Sequence, residues 1–401
     1  MNKVYQLKSP ILNYDWGDKQ ALFNLFAIEN PQNLPQAEIW MGAHSKAPSE
    51  VLLENDSISL LEFIDRDPVA CLGQKAATEF ANKLPFLFKV LAAGKPLSIQ
   101  SHPNLSQAKA GYDAEEQLAI PLDAFERNYK DDNHKPELIC ALTQFEALNG
   151  FRRIEQIIAL FELIDTALLV KPLAQLKASQ DKAGLKEFYR WLMSLSQKDS
   201  LVLTQAAVVA AKLQADNKAY QTLDYLNEFY PNDIGILCAL LLNVITLSPG
   251  EAMYLEAGEY HAYLSGVGME IMANSDNVLR GGLTSKHVDK AELLKVLSFN
   301  YGDLDILTAQ STAQDAEKEY RTPASEFSLS VINLEASQNV DCQVASVEIL
   351  FCSRGEGELF CSGNTLPIKK GHSYLVPASV GQYSVVGDVQ IFRSRIPQHL
   401  S

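Results

Sequence analysis

The chain has 401 residues and carries 49 acidic against 34 basic side chains, a formal net charge of −15. That excess argues against nucleic acid or an anionic membrane as a partner, because phosphate backbones and acidic headgroups are held by basic surfaces. It leaves room for a small anion, provided Lys and Arg are concentrated locally. Length beyond what one hydrophobic core usually serves predicts two or three domains. No apolar run reaches membrane-spanning length; the longest, Ile236 to Leu247, reads as a buried strand or helix. The opening Met1–Pro10 lacks a secretory-signal core. The six Cys (71, 140, 238, 342, 352 and 361) include no C-x-x-C pair, so reduced thiols and a cytoplasmic location are expected.

Residues 1 to about 145 read as β-rich. Val51–Leu53, Phe86–Leu91 and Leu97–Gln100 are short apolar or alternating runs broken by Pro and Gly. Ala93-Gly94-Lys95, between the last two, predicts a hairpin turn. A helix is expected near 74–83 and another after Asn104, which is placed to cap it. From 151 to about 230 the period changes. Ile154–Ile164, Leu185–Met193 and Tyr220–Phe229 set apolar residues three and four apart, and Gly184 is the sole glycine. This is helical amphipathicity, with the aromatic stripes as core. Strands return near 240. From about 325, Phe327–Ile332, Val347–Phe351, Glu358–Cys361 and Ser373–Pro377 read as short strands with tight turns.

Two stretches read as one metal site split across the sequence. In Gly94-Lys-Pro-Leu-Ser-Ile-Gln100-Ser-His102, two donors lie two residues apart and point the same way on a strand. In Gly250-Glu-Ala-Met-Tyr-Leu-Glu-Ala-Gly258-Glu-Tyr-His261, a turn delivers His261. The spacings resemble the two halves of the cupin motif, with Gln100 where the first His is usual and Glu256 where Pro is usual. Gly371 to Gln382 repeats the second half with Pro377 in its family place and Gln382 where His261 stands. The resemblance implies a mainly β fold with an α-helical insertion: two cupin (jelly-roll-like) β-barrels plus a helical domain. Residues 1–150 and 236–320 are expected to form a metal-binding catalytic domain, 151–235 the helical domain, and 321–401 a metal-free C-terminal barrel.

A closer resemblance is to the type I phosphomannose isomerase family. It is carried by Tyr14-Asp-Trp-Gly17, Glu38-Ile-Trp-Met-Gly-Ala-His-Ser-Lys-Ala-Pro48, Leu84–Val90, Leu97-Ser-Ile-Gln-Ser-His-Pro103, Asn133-His-Lys-Pro-Glu-Leu138, Glu256–Gly266 and Asn274-Ser-Asp-Asn-Val-Leu-Arg-Gly-Gly-Leu-Thr284. Asp15, Gly281 and Ser285 depart from common family residues without removing a charged or ligating group. The family implies one Zn²⁺ per chain, held by Gln100, His102, Glu137 and His261. Carboxylate plus imidazoles is a usual catalytic zinc set, and Pro136 with the apolar run after it places Glu137 at a strand start.

The reaction so implied is reversible aldose–ketose isomerisation of mannose 6-phosphate to fructose 6-phosphate through an enediol(ate). It needs a base at C1 and C2, an electrophile for the developing oxyanion and cations for the phosphate. Arg280, as a bidentate fork, and Lys135 are the candidate cations. His134, Glu270 and Lys135 compete as the proton-shuttling base. Ser98, Trp16, Trp40 and Tyr263 are candidate substrate contacts; Glu38, His44 and Lys46 are either supporting or structural. His287, His372 and His399 read as non-functional. A sugar phosphate is the expected partner and a monomer the expected state. Two other readings stand beside this one. A non-catalytic sugar-phosphate-binding cupin is disfavoured by the full ligand set with Arg280 and Lys135. An iron-dependent oxygenase is disfavoured by Gln100, since such sites favour His-rich sets.

Overall fold

A computed structural model of the chain describes residues 1–336 and 338–397; His399 lies outside them. The architecture is mainly β with a helical insertion. Among the described residues the strands fall into two eleven-stranded sheets, and in neither does the hydrogen-bonded order close on itself. The two expected barrels are therefore present as packed, strongly linked sheets rather than closed cylinders. Among the described residues no helix is long and apolar enough to cross a membrane.

The helices between Ile154 and Leu241 form where apolar periodicity and capping coincide. Asp181 caps Lys182–Ser194 and Ser196 caps Gln197–Leu213, each accepting a backbone N–H of the first turn. Their apolar stripes, including Phe161, Tyr189 and Tyr220, close over the far side of the second sheet. The run Ile236–Leu247 switches within itself from a helical turn, Cys238–Leu241, to the strand Leu242–Leu247. Asn104 does cap a helix, Leu105–Gln117, in a reciprocal capping box with Gln107. The helix expected at 74–83 is shorter, Gln74–Glu79, because Ala81 and Asn82 take left-handed backbone angles that end it.

The strand His261–Ala273 organises the second sheet. Its later part pairs with Phe86–Ala93 on one side and Glu137–Ala141 on the other, and its start pairs with Ile99–Ser101 and Phe145–Phe151. A register shift between Tyr263 and Ser265 separates the two parts. Strand alternation then sorts the side chains. Phe88, Val90, Leu138, Cys140, Met269 and Ile271 face a core shared with Leu329, Ile349, Phe351 and Leu375 of the C-terminal sheet. The intervening residues, among them Lys89, Glu137 and Glu270, face the opposite way, toward the site.

Two features depart from expectation. The predicted hairpin at Gly94 is absent, since Phe86–Ala93 and Ile99–Ser101 do not pair with each other. The N–H groups of Gly94 and Lys95 go to the Trp16 carbonyl and that of Leu97 to the Tyr263 carbonyl, and Pro96 has none to give. The connection is thus pinned to other strands rather than folded back on itself. Second, the N-terminal strand Tyr5–Lys8 pairs with Ser373–Val376 and with Glu50–Leu52, so the first sixty residues are divided between the two sheets.

The interior of the C-terminal sheet is filled. Arg393, nearly fully buried, donates to Glu348 and Glu317, and Tyr383 donates its hydroxyl to Glu348 at 3.0 Å. Gln382, at the position matching His261, is exposed and pairs across from Gln343. Removing Arg393 leaves the buried Glu348 carboxylate without a cation, while Glu317 keeps Arg395, and unpairing a buried charge costs about 3–5 kcal/mol. Arg393→Met should therefore lower the unfolding free energy from denaturant titration by that amount while leaving bound metal per chain unchanged.

Candidate metal centre and active-site cavity

The site is assembled from strand register. His261 stands directly opposite Gln100, and Arg280 stands opposite Gln100 on its other side. Directly opposed residues of antiparallel strands share a face, so these three side chains form one row. His102 follows Gln100 by two residues, just past the end of the strand Ile99–Ser101. Glu137 opens the neighbouring strand, as its preceding Pro predicts. His102, Glu137 and His261 are brought together, with donor atoms all within 4.8 Å of one another. All three are buried.

Their hydrogen bonds fix what they offer. His102 Nδ1 lies 2.7 Å from the Asn277 carbonyl oxygen, and His261 Nδ1 lies 3.2 Å from that of Glu259. A carbonyl only accepts, so both Nδ1 atoms carry the proton and both Nε2 lone pairs are left free. Both Nε2 atoms and Glu137 Oε2 are buried without a hydrogen-bond partner. The Nε2 atoms sit 3.4 and 3.5 Å from the Glu137 carboxylate oxygens. Donors about 2.1 Å from a tetrahedral zinc would be about 3.4 Å apart. The triad thus fits a metal ion in donor type, spacing and unmet hydrogen-bonding capacity. Gln100, half-buried in the same row and lining the cavity above the triad, is placed to be a fourth donor.

Above the triad lies a cavity of about 690 Å³, lined by Trp16, Ser98, Gln100, Lys135, Glu137, Tyr263, Glu270 and Arg280, all singled out in the sequence. Lys135 Nζ contacts Glu137 Oε1 at 2.9 Å. His134 is the exception. It is turned away, with Nε2 2.6 Å from Glu326 Oε1, because neighbouring residues of an extended segment point to opposite sides and Lys135 takes the cavity side. That placement removes it from the candidates for the proton-shuttling base. His372 contacts Gln6, outside the cavity, whereas His287, set aside in the sequence, lines the cavity mouth against Phe125.

Two cations escaped the sequence reading. Lys89 is buried in the row Trp40–Lys89–Glu270, 2.9 Å from Glu270 and 3.5 Å from Glu38. Trp40 Nε1–H holds Glu38 at 2.8 Å. A lone Lys inside the apolar run Phe86–Leu91 was the available signal. Lys286, on the cavity rim, lies near Arg280; loss of hydration lowers the proton affinity of both, and at Lys286 the charges of Arg280 and Lys46 add to it. Among the described residues neither charged group has an ion-pair or hydrogen-bond partner, although Lys46 has Asp276 at 2.7 Å.

Burial pushes the Glu270 carboxyl above its ordinary range, against the pull of Lys89. Burial would also raise Glu137, but Lys135 and the two imidazoles overrule it and hold it well below that range. Tyr263, fully buried beside Glu270, is raised by the same loss of hydration.

A β-sheet scaffold with a helical insertion, a buried three-donor centre and an unpaired pair of cations above it define a metal-binding protein with an anion-accepting cavity. Comparison with known proteins narrows this. The catalytic-domain model of phosphomannose isomerase type I matches residues 4–154, its helical-insertion model 165–242, and the mannose-6-phosphate isomerase cupin-domain model 316–396. The mannose-6-phosphate isomerase of Escherichia coli is 40% identical over 97% of this chain and 99% of its own. That of Rattus norvegicus is 32% identical over 99% and 97%. A crystal structure of a mutant phosphomannose isomerase from Salmonella typhimurium superposes with a TM-score of 0.93 at 37% identity, covering 98% of this chain and 99% of that one. A mannose 6-phosphate isomerase bound with zinc and yttrium gives 0.92 at 38%, with the same coverage. The chain belongs to the type I phosphomannose isomerase family.

The buried triad also predicts a pH response of the metal-free chain. Burial lowers His102 from its ordinary 6.5 to about 4. Below pH 6.5 the unfolded chain takes up this proton first, so stability falls as pH drops and flattens below about 4. Glu137, depressed when folded, loses its contribution as pH falls below its ordinary 4.5, in the same direction. Denaturant midpoints of the metal-free chain should therefore decline from pH 7 to 4, by at most about 1.4 kcal/mol per pH unit for His102. A flat profile would show that His102 is not held neutral.

Proposed function

We propose that the chain is a zinc-dependent isomerase that interconverts mannose 6-phosphate and fructose 6-phosphate, with one zinc per chain, and that it acts as a cytoplasmic monomer. The observation that carries this reading is the joint presence, in one cavity, of the donor triad, the Lys89–Glu270 pair and the partnerless cations Arg280 and Lys286. Two close cations without a counter-ion repel each other, and a dianionic phosphate relieves that repulsion. A bare hexose would leave them unsatisfied.

His102, His261, Glu137 and Gln100 are the proposed zinc ligands. A zinc ion held there supplies an electrophile beside the sugar's C1 and C2 oxygens. Glu270 is the proposed proton-shuttling group: of the cavity carboxylates outside the donor triad (Glu38, Glu270 and Asp276), it is the one whose proton affinity is raised by burial, the direction a base needs. Lys89 opposes the effect of burial on this carboxyl and fixes its direction at 2.9 Å. Tyr263, Ser98 and Trp16 line the wall where the sugar lies, and Lys135 orients Glu137 from the same side. Family likeness and the helices from Ile154 to Leu241 support a division into a catalytic part (1–150 and 236–320), a helical part (151–235) and a C-terminal part (321–401), with Tyr5–Lys8 crossing into the last.

A coupled assay with mannose 6-phosphate, before and after chelation, tests the reading; stoichiometric zinc without turnover would favour a non-catalytic binding protein. His261→Ala should lose bound zinc and nearly all activity, since the remaining donors hold the ion far less tightly. Full zinc occupancy in that variant would take His261 out of the site. Arg280→Ala should fold, keep zinc and lose turnover by orders of magnitude, each factor of ten being about 1.4 kcal/mol of transition-state stabilisation. Arg280→Lys should stay poor, because a flexible ammonium does not reproduce the fork. Near-normal kcat and KM in Arg280→Ala would sink its role.

A further inference from the structure

The motif Asn274–Thr284 enters the proposed chemistry only through Arg280, yet its most buried polar residue is Asn277, which has no accessible surface. Its side-chain oxygen accepts the backbone N–H groups of Lys130 at 2.7 Å and Asp131 at 3.3 Å. Its side-chain amide donates to the carbonyl oxygens of Asp131 at 2.8 Å and Asn133 at 2.9 Å, and to the Asp131 carboxylate at 3.2 Å. Its own carbonyl oxygen is the acceptor that fixes His102 Nδ1–H. Asp131 completes the unit by accepting the Ser275 hydroxyl and the Asp276 N–H, both at 2.7 Å, and the Asn133 N–H at 3.0 Å.

The connectivity of this unit matters more than its number of bonds. Residues 130–133 lead directly into Lys135 and Glu137. Two residues beyond Asn277, Leu279 and Arg280 pair with Ser101 and Gln100. His102 is tied through the Asn277 carbonyl itself. One residue therefore stands between the segment that brings Glu137, the strand that carries Arg280 opposite Gln100, and the imidazole of His102. We infer that Asn277 is the positioning residue of the metal centre: by clamping residues 130–133 it fixes Glu137 relative to His102 and sets zinc affinity without touching the ion or the substrate. Ordinary structural support would explain burial and hydrogen bonding, but it does not require that the clamped loop and the bonded imidazole both belong to the donor set.

The inference rests on the centre proposed above, and its test reads zinc affinity apart from isomerase turnover. Full-length Asn277→Asp and Asp131→Asn are titrated with zinc against a chromogenic chelator, with melting of the metal-free chains followed in parallel. Asn277→Asp is isosteric and keeps the carbonyl that holds His102, but it loses both amide donors and sets a second carboxylate against Asp131. Asp131→Asn leaves Asn277 in place and weakens the acceptors around it. Orienting partners of metal ligands are worth about 10–100-fold in affinity, so zinc binding of the folded variants should weaken by that factor, and excess zinc should recover their turnover. Folded variants that bind zinc as tightly as the unsubstituted chain would overturn the inference. So would failure of both variants to fold, since that assigns the unit to the fold rather than the centre. An unsubstituted chain that binds no zinc would overturn the metal centre and this inference with it.

Discussion

Three polar atoms, His102 Nε2, His261 Nε2 and Glu137 Oε2, are buried within reach of one another with no hydrogen-bond partner among the described residues. Each such atom costs about 1–3 kcal/mol, and together they approach the whole margin by which a domain is stable, about 5–15 kcal/mol. Clustered in one place and all of metal-ligating type, they are offset together by a bound ion. The carbonyls that hold both Nδ1 protons away from the centre make the arrangement specific, since they leave the imidazoles as acceptors rather than donors. The strand register around His261 then decides what else can face the same space.

The charges divide the cavity by function. Around Glu270 every charge has a partner: Lys89 bridges Glu270 and Glu38, and Trp40 holds Glu38. That network sets the direction and proton affinity of one carboxylate. At the mouth, the charged groups of Arg280 and Lys286 have no partner among the described residues, which suits them to a substrate that brings negative charge. The C-terminal sheet shows the contrasting solution. Arg393, Glu317 and Glu348 satisfy one another inside it, so it has the shape of the motif without vacant donors. An acidic protein of net charge −15 thereby accepts an anion at one place only through local concentration of cations.

Part of this was legible in the sequence because it is local. The spacing of Gln100 and His102 and the turn before His261 encode a chelating face, and Pro136 announces the strand that begins at Glu137. The helical insertion was legible through its 3.6-residue period and its caps. What escaped depends on partners far along the chain. Lys89 acquires its role from Glu38 and Glu270, which are 51 and 181 residues away. Gly94 looked like a hairpin because its neighbours on both sides are strands, yet its backbone donors are claimed by Trp16 and Tyr263. The pairing of Tyr5–Lys8 with Ser373–Val376 joins the two ends of the sequence, which no local pattern records. His134 and Lys135 were equivalent as residues; only the direction of the extended segment separated them.

The central claim is that the orphaned donors are a metal centre. The most direct measurement is anomalous diffraction from crystals of the zinc-loaded chain, with data collected on both sides of the zinc absorption edge. The account predicts one anomalous peak per chain, within bonding distance of His102 Nε2, His261 Nε2 and a Glu137 carboxylate oxygen, with the Gln100 side chain turned toward it. A peak elsewhere, or none at full zinc loading, would contradict it.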